Sequence, residues 1–158
     1  MRRTRRIPRA VKRIKKIEIK HFKGLYGENE IDLTNSGKNL MLYGENGSGK
    51  SSVAKAIKLF FQSSAKEVNI AKYENIFIPD AENNTGFIRL TIGDKGNTVS
   101  NQPYVLNNAN NRQTEAFISK ANKIKGYLDY KSLLKTHYLE TERVNVFILL
   151  VEDLLGSV

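Results

Sequence analysis

Residues 43–52 read YGENGSGKSS. Gly44, four further residues, Gly49, Lys50 and Ser51 stand at the spacing of a phosphate-binding loop. The chemistry needs those types in that order. The glycines, Gly44, Gly47 and Gly49, admit backbone conformations closed to residues with a Cβ, so successive N–H groups can turn inward as an anion nest. A helix starting near Lys50 would add its unpaired N–H groups and the positive end of its dipole. The Lys50 ammonium is then placed for the β- and γ-phosphates, and the Ser51 hydroxyl is the expected Mg²⁺ ligand. Ser48 and Ser52 offer further hydroxyls to phosphate oxygens. With Glu45 and Asn46, these residues form one expected ATP-binding stretch, Gly44–Ser52. The competing reading is a chance match in a flexible Gly/Ser turn. Context opposes it: an apolar run precedes the loop and an amphipathic one follows.

Those flanking elements must hold the loop. "KNLMLY" at 38–43 is predicted as a short apolar strand entering Gly44. "KSSVAKAIKLFFQ" at 50–62 is predicted as a helix, with Val53, Ala56, Ile57 and Phe60 at i, i+3, i+4 and i+7. Upstream, "IKKIEIKHF" alternates Ile17 and Ile19 with Glu18 and Lys20, as a half-buried strand does. "NEIDL" at 29–33 repeats the alternation, with "GLYGEN" as the turn between them and Asn35, Ser36 and Gly37 as the next turn. Downstream, "FIRLTIG" at 87–93 reads as a strand, "DKGN" as a hairpin turn and "TVSNQPYVL" as the return, short or at an edge because of Pro103. Helical spacing resumes with Phe117, Ala121, Ile124 and Leu128, and again in "ERVNVFILLVEDLL".

The chain has 158 residues, enough for one domain with a core. It has no cysteine, which excludes disulfides and thiolate metal sites. Its two histidines, His21 and His137, are far apart. The net charge is +10, and residues 1–24 alone carry eleven basic residues against one acid, Glu18. The rest of the chain is therefore neutral. Residues 1–13 are expected to be a basic disordered arm, with Pro8 against an early helix. Such an arm can bind nucleic-acid phosphates or stay solvated. No apolar h-region follows the charges, and the longest apolar run, "VFILLV" at 146–151, is too short for a bilayer. The expected location is cytoplasmic, with no membrane partner.

The order "IEIKHFKGLYGENEIDL…KNLMLYGENGSGKSSVAKAI" resembles the N-terminal half of the SMC, RecF and SbcC group of ABC-type ATPases over residues 14–60. Members open with a strand, an N-F-[RK]-[GS] turn, a second strand and then the loop. Here the turn is His21-Phe22-Lys23-Gly24, with histidine for the usual asparagine. The resemblance places Lys23 near phosphate or base; its other reading is an exposed turn residue. "FIRLTIGDKGNTVSNQPY" is similar to the antiparallel β-subdomain of these heads. The implied fold is α/β, a P-loop NTPase lobe with a mixed sheet, flanking helices and an antiparallel β-hairpin subdomain. Residues 14–158 would be the N-terminal part of such a head. The resemblance implies ATP hydrolysis in the complete protein and double-stranded DNA as partner. The settings it implies are double-strand break repair, chromosome maintenance or anti-phage defence.

The family also needs parts not evident here. No "LSGG"-like signature occurs, and the region corresponding to the Q-loop has no glutamine, only Thr136 and His137 as polar candidates. "FILLVED" at 147–153 ends in Glu152-Asp153, the reverse of the Asp-Glu pair of a Walker B strand, and also fits an amphipathic helix through Leu154 and Leu155. No catalytic residue is therefore assigned. A head-to-head dimer or a C-terminal lobe would supply Walker B and signature. The alternative is a stand-alone, non-catalytic nucleotide-binding module or a truncated remnant. No "NKxD" occurs, which opposes a GTPase.

Overall fold

The computed structural model describes residues 11–33, 40–94, 101–124 and 126. The chain divides into two units, Met1–Asn122 and Lys123–Val158, and almost all described residues lie in the first. Residues 1–10, the 35–37 turn, residues 95–97 of the "DKGN" turn, Thr136, His137 and the 147–153 segment lie outside the described residues.

Four strands form one sheet in the order β2-β1-β3-β4. They are β1 (Lys12–Phe22), β2 (Leu25–Asp32), β3 (Phe87–Asp94) and β4 (Gln102–Leu106). All three pairings are antiparallel. The alternation read from the sequence sets the register. Ile17 stands between Ile31 and Leu90, and Leu90 in turn faces Tyr104; Ile19 faces Ile88, which faces Leu106. Side chains directly opposite share a face, so this side is apolar. The other side carries Lys16, Glu18, Lys20 and Arg89, tied by ion pairs to one another and to Glu28 and Glu30.

Helix α1 (Lys50–Gln62) covers the apolar face with Val53, Ala56, Leu59 and Phe60. Its bounds are those expected from the sequence. Helix α2 (Ala116–Ile124) buries Ile118, and Phe117 meets the Tyr104 ring edge-on at 5.3 Å. Ile124, expected on the packed face, is 85% exposed. The 3.6-residue period instead centres that face on Ile118.

Several expectations are corrected. The first strand begins at Lys12, inside the expected arm, because Lys12 pairs with Asp94 across the sheet and by a 3.0 Å salt bridge. The turn between β1 and β2 is only Lys23–Gly24, since Phe22 pairs with Leu25. Most of "GLYGEN" is thus strand, with Tyr26 and Gly27 bulging opposite His21; Gly27 supplies the positive φ of 65°. The sheet is not mixed among the described residues. Leu40–Tyr43 is not a strand, and Met41 and Tyr43 are 92% and 100% exposed. A strand requires a hydrogen-bonding neighbour, and no described strand runs beside this segment. Pro103 does lie in a short edge strand, as the sequence suggests.

No described helix is long and apolar enough to cross a membrane.

Candidate functional site

The loop after Tyr43 closes on itself before α1 begins. Ser48 N–H donates to the Glu45 carbonyl at 3.2 Å, making a turn. Gly47 and Gly49 hold φ of 87° and 88°, values that side-chain-bearing residues rarely adopt. Gly49 is also pinned from outside: a Cβ there would lie 2.5 Å from Leu25 Cδ2. The Gly49 carbonyl then accepts from Ser52 and Val53 N–H at 2.9 and 3.0 Å, which starts the helix.

The head of α1 is left open. It has no side-chain cap and no acid in its first turn. The N–H groups of Asn46, Gly47, Gly49, Lys50 and Ser51 donate to no described acceptor. Helices commonly satisfy such groups with a Ser, Thr, Asp or Asn cap; here they remain free for an external anion. Lys50 spans the loop. Its ammonium donates to the carbonyls of Gly44 at 2.7 Å and Glu45 at 2.6 Å, and to Ser48 Oγ at 3.1 Å. These use all three of its N–H donors. Two acceptors are fixed carbonyls, and the third is a hydroxyl that can rotate away and yield its place to a phosphate oxygen. Ser51 is exposed, and its hydroxyl is available as a cation ligand. The donor set therefore fits a Mg-triphosphate: free amides and an ammonium for the anion, one hydroxyl for the metal. The Glu45 and Asn46 side chains are exposed.

Ser52 turns the other way. It is buried, and its Oγ accepts from Gly24 N–H at 3.3 Å, joining the β1–β2 turn to the helix head. This bond brings Lys23 beside the loop. Lys23 has φ of 51°, in the left-handed region costing a residue with a Cβ roughly 1–2 kcal/mol. Its neighbours enforce it: Lys23 N–H donates to the Tyr73 carbonyl at 2.7 Å, and Asn75 Nδ2 donates to the Lys23 carbonyl at 2.7 Å. Asn75 is itself buried; its N–H donates to the His21 carbonyl and its Oδ1 accepts from Phe77 N–H.

His21, standing where asparagine was expected, is 2% exposed. Its Nδ1 accepts from Gly27 N–H at 3.2 Å, so Nε2 carries the proton and donates to Glu82 at 2.7 Å. It braces the bulge under the turn and does not face the loop residues.

The structure thus brings together Gly44–Ser52 and the turn bearing Lys23. Sequence reading missed Tyr73, Asn75 and Lys55. Tyr73 stacks on Phe22 at 5.8 Å, and the ammoniums of Lys23 and Lys55 lie 5.8 and 6.0 Å from its ring centroid. Only the position of Lys55, four residues after Ser51 on a predicted helix, could have signalled it.

A family model described as an AAA ATPase domain matches residues 13–151. No curated protein matches the chain.

Proposed function

The chain belongs to the AAA ATPase domain family, and from that premise we propose that it binds Mg-ATP at Gly44–Ser52. The observation that carries this reading is the uncapped head of α1, with the free N–H groups of Asn46, Gly47, Gly49, Lys50 and Ser51 in the loop that the Lys50 ammonium tethers. In this reading the amides and Lys50 hold the β- and γ-phosphates, Ser51 Oγ ligates Mg²⁺, and Ser48 exchanges its bond from Lys50 for a phosphate oxygen. Ser52 acts through its oxygen on Gly24, fixing the turn against the helix.

The finer proposal is that this is the N-terminal lobe of an SMC/RecF/SbcC-like ATPase, cytoplasmic and working on double-stranded DNA in repair, chromosome maintenance or defence. Its support is the His21–Gly24 turn, which in this structure contacts the helix head through Gly24 and Ser52. The carboxylate that orients water would come from a C-terminal lobe or a second head. Titration of the full chain with Mg-ATP tests the core of the proposal. Saturable binding to the wild type and none to Lys50→Ala is expected; a wild-type chain without binding overturns it. Turnover that appears only when a lobe with signature and Walker B is added supports the finer reading.

A further inference from the structure

Asn46 is the one asparagine of the chain that precedes a glycine. It stands at the tip of the loop, between two fixed points. On one side the Lys50 ammonium holds the carbonyls of Gly44 and Glu45. On the other, Gly49 lies against the Leu25 side chain. Asn46 and Gly47 are the central pair of the turn that Ser48 N–H closes on the Glu45 carbonyl at 3.2 Å. Gly47, with φ of 87°, takes the third position of that turn, where glycine is favoured. Both residues are exposed. The Asn46 carboxamide makes no hydrogen bond with a described residue, and the Gly47 N–H donates to none. A Cβ at Gly47 would meet nothing within 4 Å, so this peptide plane has room to turn.

We propose that Asn46-Gly47 is a self-modification site, where the loop of an unliganded chain converts asparagine to aspartyl or isoaspartyl and loses its hold on phosphate. In the first step, base removes the Gly47 amide proton and the nitrogen attacks Asn46 Cγ. The N–Cγ bond forms, the Cγ–Nδ2 bond breaks, and the side-chain nitrogen leaves as ammonia. The product is a five-membered cyclic imide. Water then adds to one of its two carbonyls. Opening at Cγ leaves aspartate. Opening at the main-chain carbonyl leaves isoaspartate, with the backbone lengthened by one methylene. Glycine favours this ring because no Cβ crowds the attacking nitrogen or hinders the turning of the peptide plane. Either product sets a carboxylate where the loop would receive phosphate, and isoaspartate also displaces the N–H groups that follow. A bound triphosphate would hold the Gly47 N–H and keep the plane from turning, so nucleotide protects the loop. That protection rests on Mg-ATP binding as proposed above; the ring closure does not.

The test is timed incubation of the full chain in mild alkali, with Mg²⁺ alone or with saturating Mg-ATP. Peptide mass spectrometry follows the change from amide to acid at Asn46, and enzymatic isoaspartyl methylation measures the rearranged product. Mg-ATP titration of the same samples follows affinity, and thermal melting checks folding. In wild type, Asn46 should convert first among the asparagines, and more slowly with Mg-ATP. The converted fraction should bind Mg-ATP about tenfold more weakly, since like charges are brought together. Gly47→Ala should slow the conversion severalfold. Asn46→Gln closes only a six-membered ring, and should keep through the incubation whatever affinity it begins with. An Asn46 that converts no faster than the other asparagines of the folded chain overturns the site. Conversion with unchanged affinity, or at the same rate with Mg-ATP bound, overturns its action on the loop. Wild-type chain that binds no Mg-ATP overturns the nucleotide reading and the protection with it, while ring closure at Asn46 is still decided by mass.

Discussion

The Gly24 N–H donates to Ser52 Oγ at 3.3 Å, across 28 residues of sequence. One hydroxyl thereby joins the tip of the first hairpin to the head of the helix that follows the glycine loop. Ser52 is 8% exposed whereas Gly24 is exposed, so removing that oxygen costs the bond itself without stranding a buried amide. Ser52→Ala should lower stability by about 1 kcal/mol and weaken Mg-ATP binding beyond that loss, because the turn carrying Lys23 is released. Chemical denaturation and nucleotide titration on the same sample check this. A variant that loses stability with unchanged affinity would show the bond to be structural only.

Lys50 offers the sharpest contrast between charge and shape. Its ammonium sits 2.7 and 2.6 Å from two loop carbonyls, a point-donor arrangement. The planar guanidinium of arginine does not reproduce that geometry. Both Lys50→Ala and Lys50→Arg should therefore lose Mg-ATP binding by two orders of magnitude or about that, while melting near the wild type. Retained binding in Lys50→Arg would mean that charge alone suffices.

The parts legible in the sequence are those with a local cause. Alternation placed β1 and β3, apolar spacing placed α1 residue for residue, and the glycine pattern placed the loop. Three things were not legible. "KNLMLY" has strand composition, yet pairing is a property of neighbours, and Leu40–Tyr43 has none among the described residues. "GLYGEN" has turn composition, yet the sheet draws Leu25 and Tyr26 into β2 and uses Gly27 for a bulge. The Lys23–Tyr73–Lys55 cluster is assembled from three separate segments, and no spacing rule links them.

Gly47 and Gly49 share nearly the same φ but not the same surroundings. A Cβ at Gly47 meets nothing within 4 Å, whereas one at Gly49 meets Leu25 Cδ2 at 2.5 Å. Gly47→Ala should then cost only the backbone term of about 1 kcal/mol. Gly49→Ala should cost that and more. Leu25→Ala in the Gly49→Ala background should recover part of the excess. A double-mutant cycle measures the coupling; zero coupling would show that Leu25 does not constrain the loop.

Glu18 and Glu30 face each other directly on β1 and β2, a like-charge pair. Lys16 lies between them, 3.4 Å from Glu18 and 2.9 Å from Glu30, and Arg89 reaches Glu18 at 3.1 Å. The hydrogen bond to Glu30 is the main reason that the Lys16 ammonium titrates above its usual 10.5, with Glu18 adding to it and partial burial opposing it. A raised folded-state value means stability that is present below 10.5 and lost as pH climbs past it. The melting-temperature gap between wild type and Lys16→Gln should therefore stay level from pH 6 to about 9 and narrow only in stronger alkali. High salt should shrink it at every pH. A gap that closes by pH 8 would assign the effect to another group.

The basic arm and the sheet overlap at Lys12, and this decides how its role is tested. Lys12 pairs with Asp94 in the sheet, so a deletion that reaches residue 13 would damage β1. Removing residues 1–10 takes away Arg2, Arg3, Arg5, Arg6 and Arg9 and leaves β1 whole. If the arm binds DNA phosphates, each lost contact reduces the slope of log Kd against log salt by about 0.9. Duplex binding measured from 50 to 200 mM salt, or roughly that range, should then show a clearly shallower slope in the deletion, with Mg-ATP affinity unchanged. An identical slope would exclude the arm from DNA contact. A fall in ATP affinity would instead make these arginines part of the nucleotide site.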